Sequence, residues 1–118
     1  MIGNCTMGKL LPVVLSATVL LLSIPALQPA DDIDFARQIQ PVFVDSCDGC
    51  HGPKVQMAGL RLDVRPGAEI LSPGNSANSR LIQRITSSDV HARMPLGGAP
   101  LAPERIELLR RWIDSGAS

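Results

Sequence analysis

The sequence predicts a small all-α domain with long loops, set behind an export segment. Three observations predict it. Near the end of the chain, Ile106, Leu109 and Ile113 recur at helical spacing, with Leu108 and Trp112 widening the stripe. Shorter apolar segments before it are separated by stretches rich in Gly and Pro. The one alternating stretch, Leu60-Arg61-Leu62-Asp63, is too short to claim a sheet.

The chain has 118 residues, enough for one small domain. Residues 1–30 read as a signal peptide and 31–118 as the domain. Lys9 precedes an apolar run from Leu10 to Ile24, and the small-residue exit Pro25-Ala26-Leu27-Gln28-Pro29-Ala30 follows. The alternative is a retained anchor or membrane tether through residues 10–27. A spanning helix needs about 20 uninterrupted apolar residues, and Pro12, Ser16, Thr18 and Pro25 interrupt this one. Both readings send the rest of the chain across a membrane, to the periplasm or an equivalent exported location. Cys5 precedes the apolar run, so it is not placed like the lipidated cysteine of a lipoprotein. Cys47 and Cys50 are the cysteines of the exported part.

That part carries ten Lys+Arg, the total of eleven less Lys9, against eleven Asp+Glu. A formal charge of −1 gives no polybasic surface for nucleic acid. Its aromatics are Phe35, Phe43 and Trp112. A domain so small buries little apolar surface and usually needs a disulfide, a metal or a cofactor.

The elements follow in order. Asp31-Asp32 suits a cap for a helix through Ile33–Ile39, with acids at its positive end. Pro41 lacks an amide donor, so a break or a fresh first turn is expected there. Pro41–Ser46 then leads into the cysteines, and Gly52, Pro53 and Gly59 mark a loop beyond them. Asn75 or Ser76 suits the cap of a helix whose Leu81, Ile82 and Ile85 share a face. Met94–Pro100 is a Gly- and Pro-rich loop. In the last helix Pro103 suits the first position, Glu104 the positive end and Gly116 the stop. Ala102 at its N-cap forgoes a side-chain bond to a free amide, a loss of about 1 kcal/mol. Leu101 and Ile106 are spaced as a hydrophobic staple.

The chemistry sits in Cys47-Asp48-Gly49-Cys50-His51. Cys-x-x-Cys-His reads as a c-type haem attachment site. Two thiols three positions apart add to the two vinyl groups of a porphyrin, and the adjoining His reaches iron through Nε2. One covalent haem c then supplies the staple that the composition demands. A disulfide between Cys47 and Cys50 is the simplest competitor in an oxidising compartment. A thioredoxin-like pair needs strands alternating with helices, and zinc needs four ligands. Only Cys47, Cys50, His51 and His91 offer soft or imidazole donors, at a spacing that fits no zinc pattern.

With His51 as one axial ligand, the second comes from Met57, Met94 or His91. Met57 follows His51 by six residues, too close to cross easily to the other face of a ring. Met94 lies 43 residues on, in a loop able to lay a thioether across that face, and it is favoured over His91. A Met/His pair raises the potential and leaves no coordination position for a substrate, which suits electron transfer. Arg61, Arg65, Arg80, Arg84 and Arg93 are candidate partners for the haem propionates, with Arg61 and Arg93 preferred.

These residues resemble the planctomycete-type cytochrome c domain, within the cytochrome c-like superfamily. The likeness runs from Phe35 to Ala117. It rests on Ile39-Gln40-Pro41, the haem motif with Gly52, and Gly59-Leu60-Arg61-Leu62-Asp63. It continues through Ser79–Ile85, Arg93-Met94-Pro95 and Leu108–Ala117. Leu96 stands where such domains often carry a second proline, and Ala102 where a Ser usually caps the last helix. The resemblance implies a compact cytochrome c-like fold of three to four short helices around one covalent haem. Its first and last helices are expected to cross beside the haem, with His51 and Met94 on iron. The function it implies is electron transfer between redox partner proteins, as a carrier rather than an enzyme. Relatives often continue into further domains, so a haem module at the front of a longer oxidoreductase is a second expectation. A haem enzyme or ligand sensor with a displaceable sixth ligand is a third.

Overall fold

Asp34, in an extended conformation, opens the first helical segment. Its Oδ1 accepts from the Arg37 amide at 2.8 Å, while Gln38 Oε1 accepts from the Asp34 amide at 2.9 Å. Two donors that a helix start leaves free are thereby satisfied. The computed structural model describes residues 32–118, and within them this cap replaces the expected one at Asp31-Asp32. Asp32 lies outside any helix, because Asp34 is the carboxylate within reach of the third amide. Asp31, the signal peptide over residues 1–30 and the tether alternative over 10–27 lie outside the described residues.

The first turn is a π-helix, Phe35–Ile39, in which the Gln40 amide reaches back to the Phe35 carbonyl. It passes directly into α1 (Gln40–Ser46), with Pro41 in the first turn. Of the two outcomes expected at Pro41, the chain takes the fresh first turn. A proline there lacks a donor that a helix start could not have used within the helix. The Cys47 amide closes α1 on the Phe43 carbonyl at 2.8 Å. One more turn, α2 (Asp48–His51), follows at once.

A 3₁₀ turn, Met57–Gly59, has Ala58 and Gly59 both in the left-handed region, at φ 54° and 70°. The expected cap at Asn75 forms, but on a 3₁₀ turn, Ser76–Asn78, that precedes α3 (Arg80–Ile85). Asn75 Oδ1 accepts from the Asn78 amide there at 3.2 Å. The last helix, α4 (Pro103–Asp114), begins on Pro103 behind an N-cap Ala102 that makes no side-chain bond. It ends as expected, with Gly116 at φ 109° and the Gly116 and Ala117 amides returning to Ile113 and Trp112. Leu101 and Ile106 both join the core, as a staple requires.

The described residues form an all-α fold, with no strand among them. Trp112, Phe43, Ile39, Ile82, Leu109 and Ile113 are its fully buried large apolar side chains. The three aromatics meet in one cluster. Phe35 lies 5.6 Å from Trp112 and 6.3 Å from Phe43, and Phe43 meets Trp112 edge-on at 6.3 Å. The first and last helical segments therefore pack together through nearly all the aromatic surface available, which is the scaffold behind the site.

Candidate functional site

α2 wraps Cys47-Asp48-Gly49-Cys50-His51 into a single helical turn. The Cys50 and His51 amides both return to the Cys47 carbonyl, at 3.1 and 2.8 Å. Both thiols are free, Cys47 partly buried and Cys50 exposed. Burial pushes the Cys47 thiol up to about 11, with the Asp48 carboxylate adding to the shift. Cys47 is therefore a thiol, not a thiolate, across the physiological range.

His51 is oriented by the loop that follows. Its Nδ1 lies 3.1 Å from the Met57 carbonyl, and its own carbonyl accepts from the Leu62 amide. A carbonyl only accepts, so this contact places the ring proton on Nδ1 and leaves a lone pair on Nε2. The left-handed pair Ala58-Gly59 is what turns the chain just past that carbonyl. Gly52 closes the motif tightly, since a Cβ there would collide with the Asp48 carboxylate and backbone carbonyl. Asp48 Oδ1 is buried and unpartnered.

Cys47, Cys50 and His51 open onto a cavity of about 780 Å³. Its wall is mostly apolar, with Leu60, Leu62, Ile70, Leu81, Ile85 and Leu101 among its residues. That volume falls in the range of cofactor sites, roughly 300–1,000 Å³. Protein interiors otherwise hold few voids larger than a water molecule. Met94 and Pro95 line the same cavity from the other half of the sequence. The Met94 amide donates to the Arg84 carbonyl at the end of α3 at 3.0 Å, and α3 is tied to the body through Leu81 and the Ile70 carbonyl. The donor set thus fits a haem: two thiols in one turn, an imidazole with Nε2 free, a thioether and an apolar chamber.

The other sequence candidates fall differently. Met57 also lines the cavity, while His91 is exposed and does not. Of the arginines preferred for the propionates, Arg61 lies in the wall but is bound through Nε and Nη2 to Asp63. That pairing holds the Asp63 carboxyl below its usual range. Arg93 is not in the wall, and its Nε is buried without a partner. Among the described residues, no group of three or more His, Cys, Asp or Glu side chains is gathered to hold a metal ion.

A family model described as Planctomycete cytochrome C matches residues 47–95. That segment is similar to the planctomycete cytochrome c family. The match opens on Cys47 and closes on Pro95, so it contains both thiols, His51 and Met94. The flanking helices α1 and α4, which supply much of the core, lie outside it. No curated protein and no solved structure matches the chain. A cytochrome c domain implies a covalently bound haem and a part in electron transfer. Such domains are typically exported. Among the described residues, no helix is long and apolar enough to cross a membrane.

Proposed function

We propose that this cytochrome c domain is an electron carrier with one haem, joined to Cys47 and Cys50 and ligated by His51 and Met94. The observation that carries the reading is the convergence of these four side chains on one apolar cavity. The haem supplies a one-electron couple at its iron. Cys47 and Cys50 would hold it by thioether bonds. The Met57 carbonyl fixes the His51 tautomer and raises its basicity as a donor. Met94, on a backbone tied to α3, would supply a thioether to the iron and keep small ligands from it. The α1 and α4 scaffold keeps these groups in place through a change of redox state. Exchange with redox partner proteins in the periplasm or an equivalent exported compartment completes the proposed role.

The test is the exported protein produced with a haem-maturation system. Haem should remain on the chain after denaturation, and a variant with Cys47→Ala and Cys50→Ala should lose it. The ferric protein should be low-spin, with the near-red charge-transfer band of a Met–iron bond. A high-spin ferric spectrum would overturn the carrier role and point to an open coordination site.

A further inference from the structure

The cavity wall is mostly apolar, and the charges in it are nearly all of one sign. Arg61, Arg65, Arg80 and Arg84 contribute to it, against the single carboxylate Glu69. Glu69 is held by its own backbone amide and by the Gly67 amide at 2.9 Å, and these bonds keep its carboxyl below the usual range. Two of the four arginines are occupied. Arg61 is bound to Asp63, and the Arg65 guanidinium lies over the Phe35 ring, 5.6 Å from its centre.

Arg80 and Arg84 are different. They stand four residues apart on α3, on one face of the helix, and both line the cavity. Arg80 has no hydrogen-bond or ion-pair partner among the described residues. Arg84 makes one long bond, Nη1 to the Ala92 carbonyl at 3.4 Å, and its other donors are unused. Like charges at this spacing repel, so the pair is unfavourable unless an anion sits between or beside them. They line the cavity beside Leu81 and Ile85, and a guanidinium fork is suited to an anionic acceptor.

On the reading that this cavity holds haem, we infer that Arg80 and Arg84 bind the carboxylates of its propionate side chains. The cofactor is an apolar plate carrying two carboxylates on the edge opposite its vinyl groups. The thiols of Cys47 and Cys50 suit the vinyl edge, and in the same cavity wall Arg80 and Arg84 are the least engaged cations for the carboxylate edge. Charge-assisted, forked bonds of this kind are the strong ones available to a carboxylate. Arg80 and Arg84 are positioning residues: they orient the ring and place positive charge beside it. Because Arg84 also carries the carbonyl that holds the Met94 amide, α3 links the propionate edge to the Met94 loop.

The experiment compares the holoprotein with R80Q, R84Q, the double R80Q/R84Q, the charge-retaining R80K/R84K, and R37Q as an exposed control away from the cavity. The readouts are the propionate bending bands in resonance Raman spectra and the midpoint potential as a function of pH. R80Q is the cleanest variant, since Arg80 has no other bond to lose. The glutamine variants should shift those bands, lower the potential and move the pH at which it begins to change. R80K/R84K should retain most of the potential but not the bands, and R37Q should match the parent. Unchanged bands and an unchanged potential–pH curve in R80Q/R84Q would overturn the inference while leaving the haem reading intact. Unchanged bands with slower, salt-dependent electron exchange would also overturn it, and assign the pair to a partner's acidic surface. A double variant that fails to mature is resolved by R80Q and R80K/R84K, read in the same way. Absence of covalent haem from the parent protein itself would remove the underlying reading instead.

Discussion

The Met94 amide donates to the Arg84 carbonyl at 3.0 Å, so the thioether loop hangs from the last turn of α3. The bond is made by backbone, and it survives any change of the Met94 side chain. Met94→Ala should therefore leave the fold intact while removing the proposed iron ligand. The expected outcome is a lower potential, loss of the near-red band, and an iron that now takes up cyanide or carbon monoxide. Met57→Ala removes the other thioether of the cavity wall but keeps the carbonyl on His51, and should change neither spectrum nor ligand uptake. If the two variants exchanged these behaviours, the axial assignment would move to Met57.

The comparison of Met94 with Met57 also shows where sequence reasoning reached its limit. Side-chain chemistry and short-range spacing were legible: the Pro103 start, the uncapped Ala102 and the Gly116 stop of α4 are all present. The apolar stripe predicted Leu109, Trp112 and Ile113 as core. Backbone groups carry no such signature. Nothing in the residue identities singles out the Met57 carbonyl for His51 or the Arg84 carbonyl for Met94. Asp31-Asp32 and Asp34 offer the same capping chemistry within a few residues, and only the position of the π turn decides between them. The arginine wall was legible in its members but not in which of them are unoccupied. Its members come from two segments, and Asp63 removes Arg61 from competition at short range.

The two thiols differ in reactivity by their surroundings. In the chain made without haem, Cys50 is exposed, whereas Cys47 is pushed up to about 11 by burial and by Asp48. A raised thiol pKa means less thiolate at any lower pH, so Cys47 should alkylate far more slowly than Cys50 near pH 8. Its rate should climb as pH approaches 11. Asp48→Asn removes the smaller cause and should speed Cys47 modestly. The same shift makes folding of the haem-free chain weaken in alkali: the contribution is present below the unfolded thiol pKa and is lost as pH rises through the folded one. Iodoacetamide labelling followed by mass spectrometry reads both rates. Equal labelling at pH 8 would contradict the buried environment of Cys47.

Asp114, at the end of α4, accepts from both the Ser76 amide at 2.7 Å and the Ser76 hydroxyl at 2.9 Å. Ser76 is buried, and the adjoining Gly74 amide bonds the Ile113 carbonyl. This junction fixes the segment that leads into α3, and through it the Met94 loop. Asp114→Ala leaves buried donors unsatisfied and should cost about 1–2 kcal/mol. Ser76→Ala should cost less, since its amide keeps the carboxylate. In a double-mutant cycle by denaturant unfolding of the holoprotein, the pair should be non-additive. Additive losses would mean the two residues act independently.

Ala102 offers the opposite experiment, a gain. It sits at the N-cap of α4 with extended backbone angles, φ −59° and ψ 139°, and makes no side-chain bond to the helix. An Asp or Ser needs no backbone change to occupy this position, and its oxygen reaches a free amide of the first turn. Ala102→Asp adds a negative charge at the positive end of the helix dipole, although Glu104 is already there. The expected stabilisation is about 1 kcal/mol for Ser and no less for Asp, with the Asp increment shrinking in high salt. Because Ala102 is exposed and lies outside the cavity wall, the potential and the near-red band should stay where they are. A stabilised variant with an altered spectrum would show that α4 is coupled to the iron site more tightly than its contacts indicate.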